Sequence, residues 1–98
     1  MLINKDTVLS LAPHVLKRME YSLDTFYLLN FENDEVWTGN YSAYLIVDKL
    51  NGKDNIDTII KGLTEEYDDF SYSELYNSSI AIFEELMHKK FIVPASKK

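Results

Sequence analysis

Short apolar runs in the first half of the chain are separated by turn-forming residues, which is the pattern of β-strands. Three runs rich in aromatic and branched residues cover residues 14–20, 25–31 and 35–38, and such residues favour extended structure. The Glu-Asn-Asp segment at residues 32–34 supplies a turn between the second and third runs. This pattern predicts a three-stranded antiparallel meander.

After residue 40 the apolar residues follow a helical period instead, which predicts two consecutive amphipathic helices. Apolar residues recur at the i, i+3, i+4 and i+7 spacing of one helix face: Ala43, Ile46, Val47 and Leu50 in the first segment, and Ile56, Ile59, Ile60, Leu63 and Tyr67 in the second. We expect the first helix to cover residues 40–50, with Gly52 at its left-handed C-terminal cap. Asp54 or Asn55 can cap the start of the second helix.

A third helix is predicted from residue 71 to about residue 89, and its start is clearly marked. Ser71 and Glu74 form an S-x-x-E capping box, while Phe70 and Leu75 occupy the two positions of a hydrophobic staple. The basic residues that follow His88 suit the negative end of the helix dipole.

The apolar face of this third helix is unusually wide. Two stripes lie side by side and together span about 160°, whereas a surface helix needs only about 100° to face its own core. The first stripe is Leu75, Ser79, Ile82 and Leu86, and the second is Tyr76, Ile80, Phe83 and Met87. Either one stripe faces a partner, or the small domain wraps the helix more fully, for example with its N-terminal residues.

The two ends of the chain are less regular. Residues 1–13 have no clear period and are interpreted as an N-terminal arm, and residues 14–94 as the folded domain. Residues 91–93 can return as a strand or wing that Pro94 closes, and residues 95–98 are expected to be a flexible tail.

Composition and charge narrow the class of function. The chain has 98 residues, 46% of them hydrophobic, which suits one globular domain. It has no cysteine, no signal-peptide pattern and no apolar run near the length of a membrane span, so we expect a cytoplasmic protein without membrane attachment. Ten basic residues against 16 acidic ones give a net charge of −6, which disfavours nucleic acid as a partner because phosphates repel such a surface.

Catalytic chemistry is not indicated. His14 and His88 are the only histidines, and they lie on different elements without a nucleophile at catalytic spacing. Neighbouring acids such as Asp68 and Asp69 point in different directions on a helix and do not form a carboxylate pair. No glycine-rich phosphate loop is present. We therefore expect a binding protein that is not an enzyme and has no cofactor and no metal site.

Residues 13–93 resemble the PqqD-like family, whose members are known as RiPP recognition elements and bind the leader segments of ribosomally made, post-translationally modified peptides. The resemblance lies in the order and spacing of four segments: FYLLNFENDEVWTGN, NYSAYLIVDKLNG, DNIDTIIKGLTEEYD and SELYNSSIAIFEELMHKKFIV. Where family members often have glycine before the last apolar run, this chain has Lys90.

The resemblance implies an α+β, winged helix-turn-helix-like fold in which a three-stranded antiparallel sheet is followed by three α-helices. It also implies that a precursor leader peptide adds as a strand to the third strand, beside the third helix. Carried onto this sequence, the backbone ladder is formed by Glu35, Val36, Trp37 and Thr38, and the pockets by Leu75, Tyr76, Ser79, Ile80 and Phe83.

The strand at residues 35–38 also suits this role on its own pattern. It is last in the meander, so one of its edges carries unpaired backbone groups that can template another strand. A free-standing module of this kind presents the precursor to a separate maturation enzyme, either a radical S-adenosylmethionine enzyme or a leader peptidase and cyclase pair. The alternative is an acidic winged-helix protein-interaction or transcription-associated module.

Overall fold

The structure is a computed structural model that describes residues 3–95. Its elements follow the predicted order, including the expected return strand near the C-terminus, and one further strand lies near the N-terminus. They are β1 (Leu9–Leu11), β2 (Val15–Glu20), a 3₁₀ turn (Tyr21–Leu23), β3 (Thr25–Asn30), β4 (Glu35–Gly39), α1 (Tyr41–Val47), α2 (Ile56–Glu66), α3 (Tyr72–His88) and β5 (Ile92–Pro94). The α+β fold predicted from the sequence is confirmed.

Strands β2, β3 and β4 form an antiparallel sheet in that order. Because side chains alternate between the two faces of a strand, Phe26, Leu28 and Trp37 enter the core. Leu16 and Val36 lie on the opposite face, which no other described element covers. The sheet therefore has one face packed against the helices and one open face.

Polar side chains fix the start of each helix, as the sequence predicts for α2 and α3. Asn40, Asn55 and Ser71 accept hydrogen bonds from backbone N–H groups three residues ahead, at 3.0, 2.9 and 3.3 Å. Helix α1 ends at Val47, earlier than predicted. Gly52 has a φ of 76°, but it lies in the following loop, where its N–H donates to the Leu9 carbonyl at 3.1 Å.

The N-terminal arm is part of the fold. Strand β1 pairs antiparallel with β5, and Ile3 and Leu9 are buried in the core. The Ala95 N–H donates to the Val8 carbonyl at 2.8 Å and extends this pairing. The sequence did not predict β1 because three residues are too few for a visible alternation. Residues 1–2 of the arm and 96–98 of the predicted tail lie outside the described residues.

Helix α3 ends in a turn that glycine usually provides. Lys90 takes the left-handed position with a φ of 71°. The Phe91 N–H donates to the Leu86 carbonyl at 2.9 Å and the Lys90 N–H to that of Met87 at 3.1 Å, which is the Schellman pattern. The buried Asn30 amide donates to the Lys90 carbonyl at 3.1 Å, so this turn is tied to the end of β3.

Candidate functional site

The free long edge of β4 carries unpaired backbone groups at two residues. Among the described residues β4 pairs only with β3. The Phe31 N–H donates to the His14 carbonyl at 2.8 Å, which makes these two residues a hydrogen-bonded pair of the β2–β3 ladder. Hydrogen-bonded pairs recur at every second residue, so the backbone groups of Thr25, Tyr27 and Leu29 bond to β2 and those of Phe26 and Leu28 bond to β4. With Leu28 opposite Trp37, the N–H and C=O of Val36 and Thr38 point away from the sheet.

Trp37 joins the inner side of this edge to α3. Its indole N–H donates to a Glu85 carboxylate oxygen at 3.0 Å, and Lys89 Nζ lies 3.2 Å from the same oxygen. The Trp37 hydrogen bond, followed by that of Lys89, lowers the pKa of Glu85. Trp37 is only 9% exposed and packs edge-on against Phe26. The Trp37 side chain therefore lies between the free edge of β4 and the hydrophobic core.

An open groove of about 560 Å³ lies at the C-terminal end of β4, between α1 and α3. Its apolar lining comes from Ala43, Ile46, Phe70, Leu75 and Ile82, and its polar lining from Asn40, Ser42, Glu74 and Ser78. Phe70 and Leu75 are the two staple residues, so the motif that starts α3 also builds one end of the groove.

The five predicted pocket residues of α3 lie in three different places: the groove, the core and the opposite flank of the helix. Leu75 lines the groove, whereas Ser79 and Phe83 are completely buried in the core. Tyr76 and Ile80 project about 120–160° around the helix from Ile82, and Tyr76 stacks on Tyr72 with ring centroids 5.9 Å apart. The structure therefore places Leu75 in the groove with Asn40, the residue that follows β4, and leaves Tyr76 and Ile80 on the opposite flank.

Neither apolar stripe of α3 is exposed as a whole. The buried centre of the helix is Leu75, Ser79, Phe83 and Leu86, taken from both predicted stripes. Ile82, Ser78 and Phe70 were not among the predicted pocket residues, although the first stripe contained Ile82. Periodicity could not distinguish the two flanks, because both are apolar.

Residues 26–92, from β3 to β5, match the model of a family described as Coenzyme PQQ synthesis protein D (PqqD). This chain belongs to the PqqD family. A solved structure described as TbiB1 in complex with the TbiA(beta) leader peptide superposes on the PqqD-family chain with a TM-score of 0.72 and 12% sequence identity, covering 90% of this chain and 99% of that one. Such a likeness at low identity establishes a shared fold. Comparison with curated protein sequences gave no significant match.

The second flank of α3 is partly covered by other elements of this PqqD-family chain. The Tyr72 hydroxyl donates to the Asp57 carboxylate of α2, and this hydrogen bond is the main reason that the pKa of Tyr72 rises to about 12. Farther along, Ile3 and Pro94 lie beside Met87 around one depression. The N-terminal residues thus cover part of the wide apolar face, which was one of the two interpretations of its width.

Within residues 3–95 of the PqqD-family chain, no group of three or more acidic, histidine or cysteine side chains is arranged to hold a metal ion. In the same range, no helix is both long and apolar enough to traverse a bilayer. The geometry of the described site is that of a strand edge beside an apolar groove, which suits an extended peptide.

Proposed function

We propose that this PqqD-family protein is a RiPP recognition element, which binds the leader segment of a ribosomally made precursor peptide as an additional strand on β4. The observation that carries the proposal is the pair of outward-pointing backbone groups at Val36 and Thr38 beside the groove of α3. The structurally similar TbiB1 was solved in complex with a leader peptide, which supports a leader segment as the ligand. The backbone ladder then extends over Glu35, Val36, Trp37 and Thr38.

The two walls of the site have similar lengths. From Glu35 to Gly39 the strand β4 extends roughly 13 Å at about 3.3 Å per residue, and the stretch of α3 from Glu74 to Glu85 rises about 16 Å at 1.5 Å per residue. Side chains on one face of a bound strand recur about every 6.6 Å. Two or three of them therefore reach α3, near Trp37, Ile82 and Leu75.

The α3 residues have different roles in this proposal. Leu75 and Ile82 contact the inward side chains of the peptide, while the buried Ser79 and Phe83 support the groove floor from beneath. Tyr76 and Ile80, on the far flank, hold α3 in place. In this proposal the α3 residues that contact the peptide therefore belong to the first stripe of the helix.

The bound leader is presented to a separate maturation enzyme in the cytoplasm, either a radical S-adenosylmethionine enzyme or a leader peptidase and cyclase pair. The protein itself supplies no reacting group in this proposal. The net charge of −6 favours a peptide over a nucleic-acid ligand. No contact in the site favours the alternative of a transcription-associated module.

Ile82 and Ile80 provide a matched test, because both are half-buried isoleucines on α3. We expect Ile82→Ala to weaken binding of a labelled leader segment, from a precursor encoded beside this protein's gene, by about tenfold or about 1.4 kcal/mol. Ile80→Ala should leave the affinity unchanged. Both variants should lose a similar amount of stability, about 1–2 kcal/mol, since each removes a partly buried side chain.

Fluorescence anisotropy and thermal melting measure the two quantities separately. Equal affinities for the two variants would contradict the assignment of Ile82 to the peptide groove, and a larger loss for Ile80→Ala would place the peptide on the other flank of α3. Labelled duplex DNA at low salt serves as the competing ligand, and tight binding that weakens steeply with salt would contradict the proposal.

A further inference from the structure

The open face of the sheet carries an apolar row that crosses all three strands. Leu16 pairs with Leu29, and Leu29 pairs with Val36, so the three side chains stand side by side on the outer face. Leu16 is 57% exposed and Val36 58%. Together with Tyr27 they line a shallow depression of about 500 Å³. The row is an exposed apolar feature on an acidic protein.

Val36 stands at the end of this row, directly beside the free edge. Its backbone groups point outward, so a strand added to β4 pairs with Val36 and places one side chain on the same face. The Cβ atoms of such paired residues lie about 4.5–5.5 Å apart. An added strand therefore continues the row to a fourth position, next to Val36.

The next residue of the added strand faces the other way. It lies opposite Trp37, whose side chain points to the inner face beside Glu85, and its own side chain enters the groove next to α3. The position after that lies opposite Thr38, in a row formed with Tyr27 and Arg18. That row is partly polar and accepts a polar side chain.

We propose that the bound segment is recognised on both faces of the sheet, through two adjacent apolar residues. One enters the inner groove and the other extends the Leu16, Leu29 and Val36 row on the outer face. The inference rests on the proposed function and adds to it a recognition sequence of apolar, apolar, polar in successive positions. Val36 becomes a specificity-determining residue through its side chain, in addition to its backbone.

A single added strand is the occupant that the register favours. A strand added beside β4 touches the row only at Val36, because Leu16 lies on β2, three strand spacings or about 14 Å away at the usual 4.8 Å spacing. A larger protein seated on the whole face would contact Leu16 and Val36 alike. Leu16 therefore provides a control with almost the same exposure and chemistry.

The test is selection of peptides from a displayed library of randomised short sequences on the wild-type protein, Val36→Lys and Leu16→Lys. Only peptides whose binding is lost in Thr38→Pro are analysed, which restricts the comparison to the free edge. We expect adjacent apolar pairs in the wild-type and Leu16→Lys pools. In the Val36→Lys pool, the outward member of the pair should be replaced by polar or acidic residues while the inward member remains.

A peptide from the wild-type pool should bind Val36→Lys about two- to fivefold more weakly, the range of one cross-strand pair, and Leu16→Lys with unchanged affinity. Apolar residues at alternate positions only, or identical pools for wild type and Val36→Lys, overturn the inference while leaving strand addition intact. Equal effects of the two lysine variants overturn it in favour of an occupant that covers the whole face. A wild-type protein that enriches no edge-dependent peptide overturns the proposed function as well.

Discussion

The two outer strands of the same sheet, β2 and β4, have edges of different character. Both pair on one side only within residues 3–95. On β2 the outward backbone groups belong to Lys17 and Met19, and the strand also carries Arg18. Lys17 lies on the helix-facing side, where its ammonium contacts Asp48 at 2.6 Å. Charged side chains on an edge, especially inward-pointing ones, discourage the addition of another strand.

Strand β4 lacks this protection. After Glu35 it contains Val36, Trp37, Thr38 and Gly39, and its inner side borders the apolar groove. Both edges offer backbone hydrogen bonds, so backbone groups alone do not select where a peptide docks. The difference indicates that charge closes one edge, whereas β-forming side chains and a neighbouring groove open the other.

Removing one outward N–H from each edge should give the largest contrast. Thr38→Pro deletes a donor on β4 without deleting a hydrogen bond to β3, and its ring also obstructs an added strand. We expect peptide affinity to fall by about tenfold or more. Lys17→Pro makes the same change on β2 and should leave affinity unchanged. Isothermal titration calorimetry checks both, and an equal loss in the two variants would mean that the edges are not distinguished.

The protection of β2 can be removed directly. In the double variant Lys17→Thr, Arg18→Thr, the β2 edge becomes uncharged up to Glu20, so we expect strand-to-strand association of two copies. Light scattering at increasing protein concentration should show a rise in apparent mass relative to wild type. A mass that follows wild type at all concentrations would show that charge is not what closes this edge.

Trp37, the only tryptophan in the chain, reports on the inner side of the β4 edge through Glu85. The indole hydrogen bond holds the pKa of Glu85 below its usual value of 4.5. A depressed pKa in the folded state contributes stability that is present above the unfolded pKa and is lost as the pH falls through the folded pKa.

We therefore expect Trp37 emission to stay constant as the pH is lowered to about 4.5 and to change below it. The Glu85→Gln variant should lack this step. An acid transition that is the same in both proteins would assign it to another group. The Lys17 and Asp48 pair on the β2 side has no tryptophan beside it, so the signal is specific to the β4 edge.

The smallest effect on peptide affinity is expected from a substitution that lies outside both strand edges, at Lys90. Lys90 holds a left-handed conformation that costs a non-glycine residue roughly 1–2 kcal/mol, so Lys90→Gly should raise the free energy of unfolding by about 1 kcal/mol. Peptide affinity should not change. Lys89→Gly, at a position with a φ of −88°, is the control and should give no gain. Urea denaturation measures both, and destabilisation by Lys90→Gly would show that the lysine side chain has a role of its own.

Much of the fold follows from local signals in the sequence. Runs of aromatic and branched residues placed strands β2 to β4 to within one residue at each end, and Asn55 and Ser71 marked helix starts because short polar side chains satisfy the first N–H groups. Strand β1 escaped prediction because its partner β5 lies at the other end of the chain. The Lys90 turn did not follow from the sequence, since non-local contacts, the Asn30 hydrogen bond and the burial of Phe91, add to the local Schellman hydrogen bonds in holding it.

The candidate site was less predictable than the fold. The edge role of residues 35–38 followed from their place in the meander, but which residues point outward depends on a register that only the paired strands define. The groove side of α3 was not predictable, because Ile82 and Ile80 are chemically alike and only packing separates them. The complete burial of Ser79, whose hydroxyl has no hydrogen-bond partner among the described residues, likewise depends on how α3 packs.

Two hydrogen bonds join the sheet to α3 and to the turn that follows it before any ligand arrives. Asn30 ties the end of β3 to Lys90 in that turn, and Trp37 ties β4 to Glu85 of α3. The spacing between strand and helix is therefore set during folding, and the protein loses little conformational freedom when a peptide binds. Most of the ordering entropy then falls on the peptide, so stiffening a leader into an extended form, by cyclisation or proline placement outside the paired residues, is the direct route to tighter ligands.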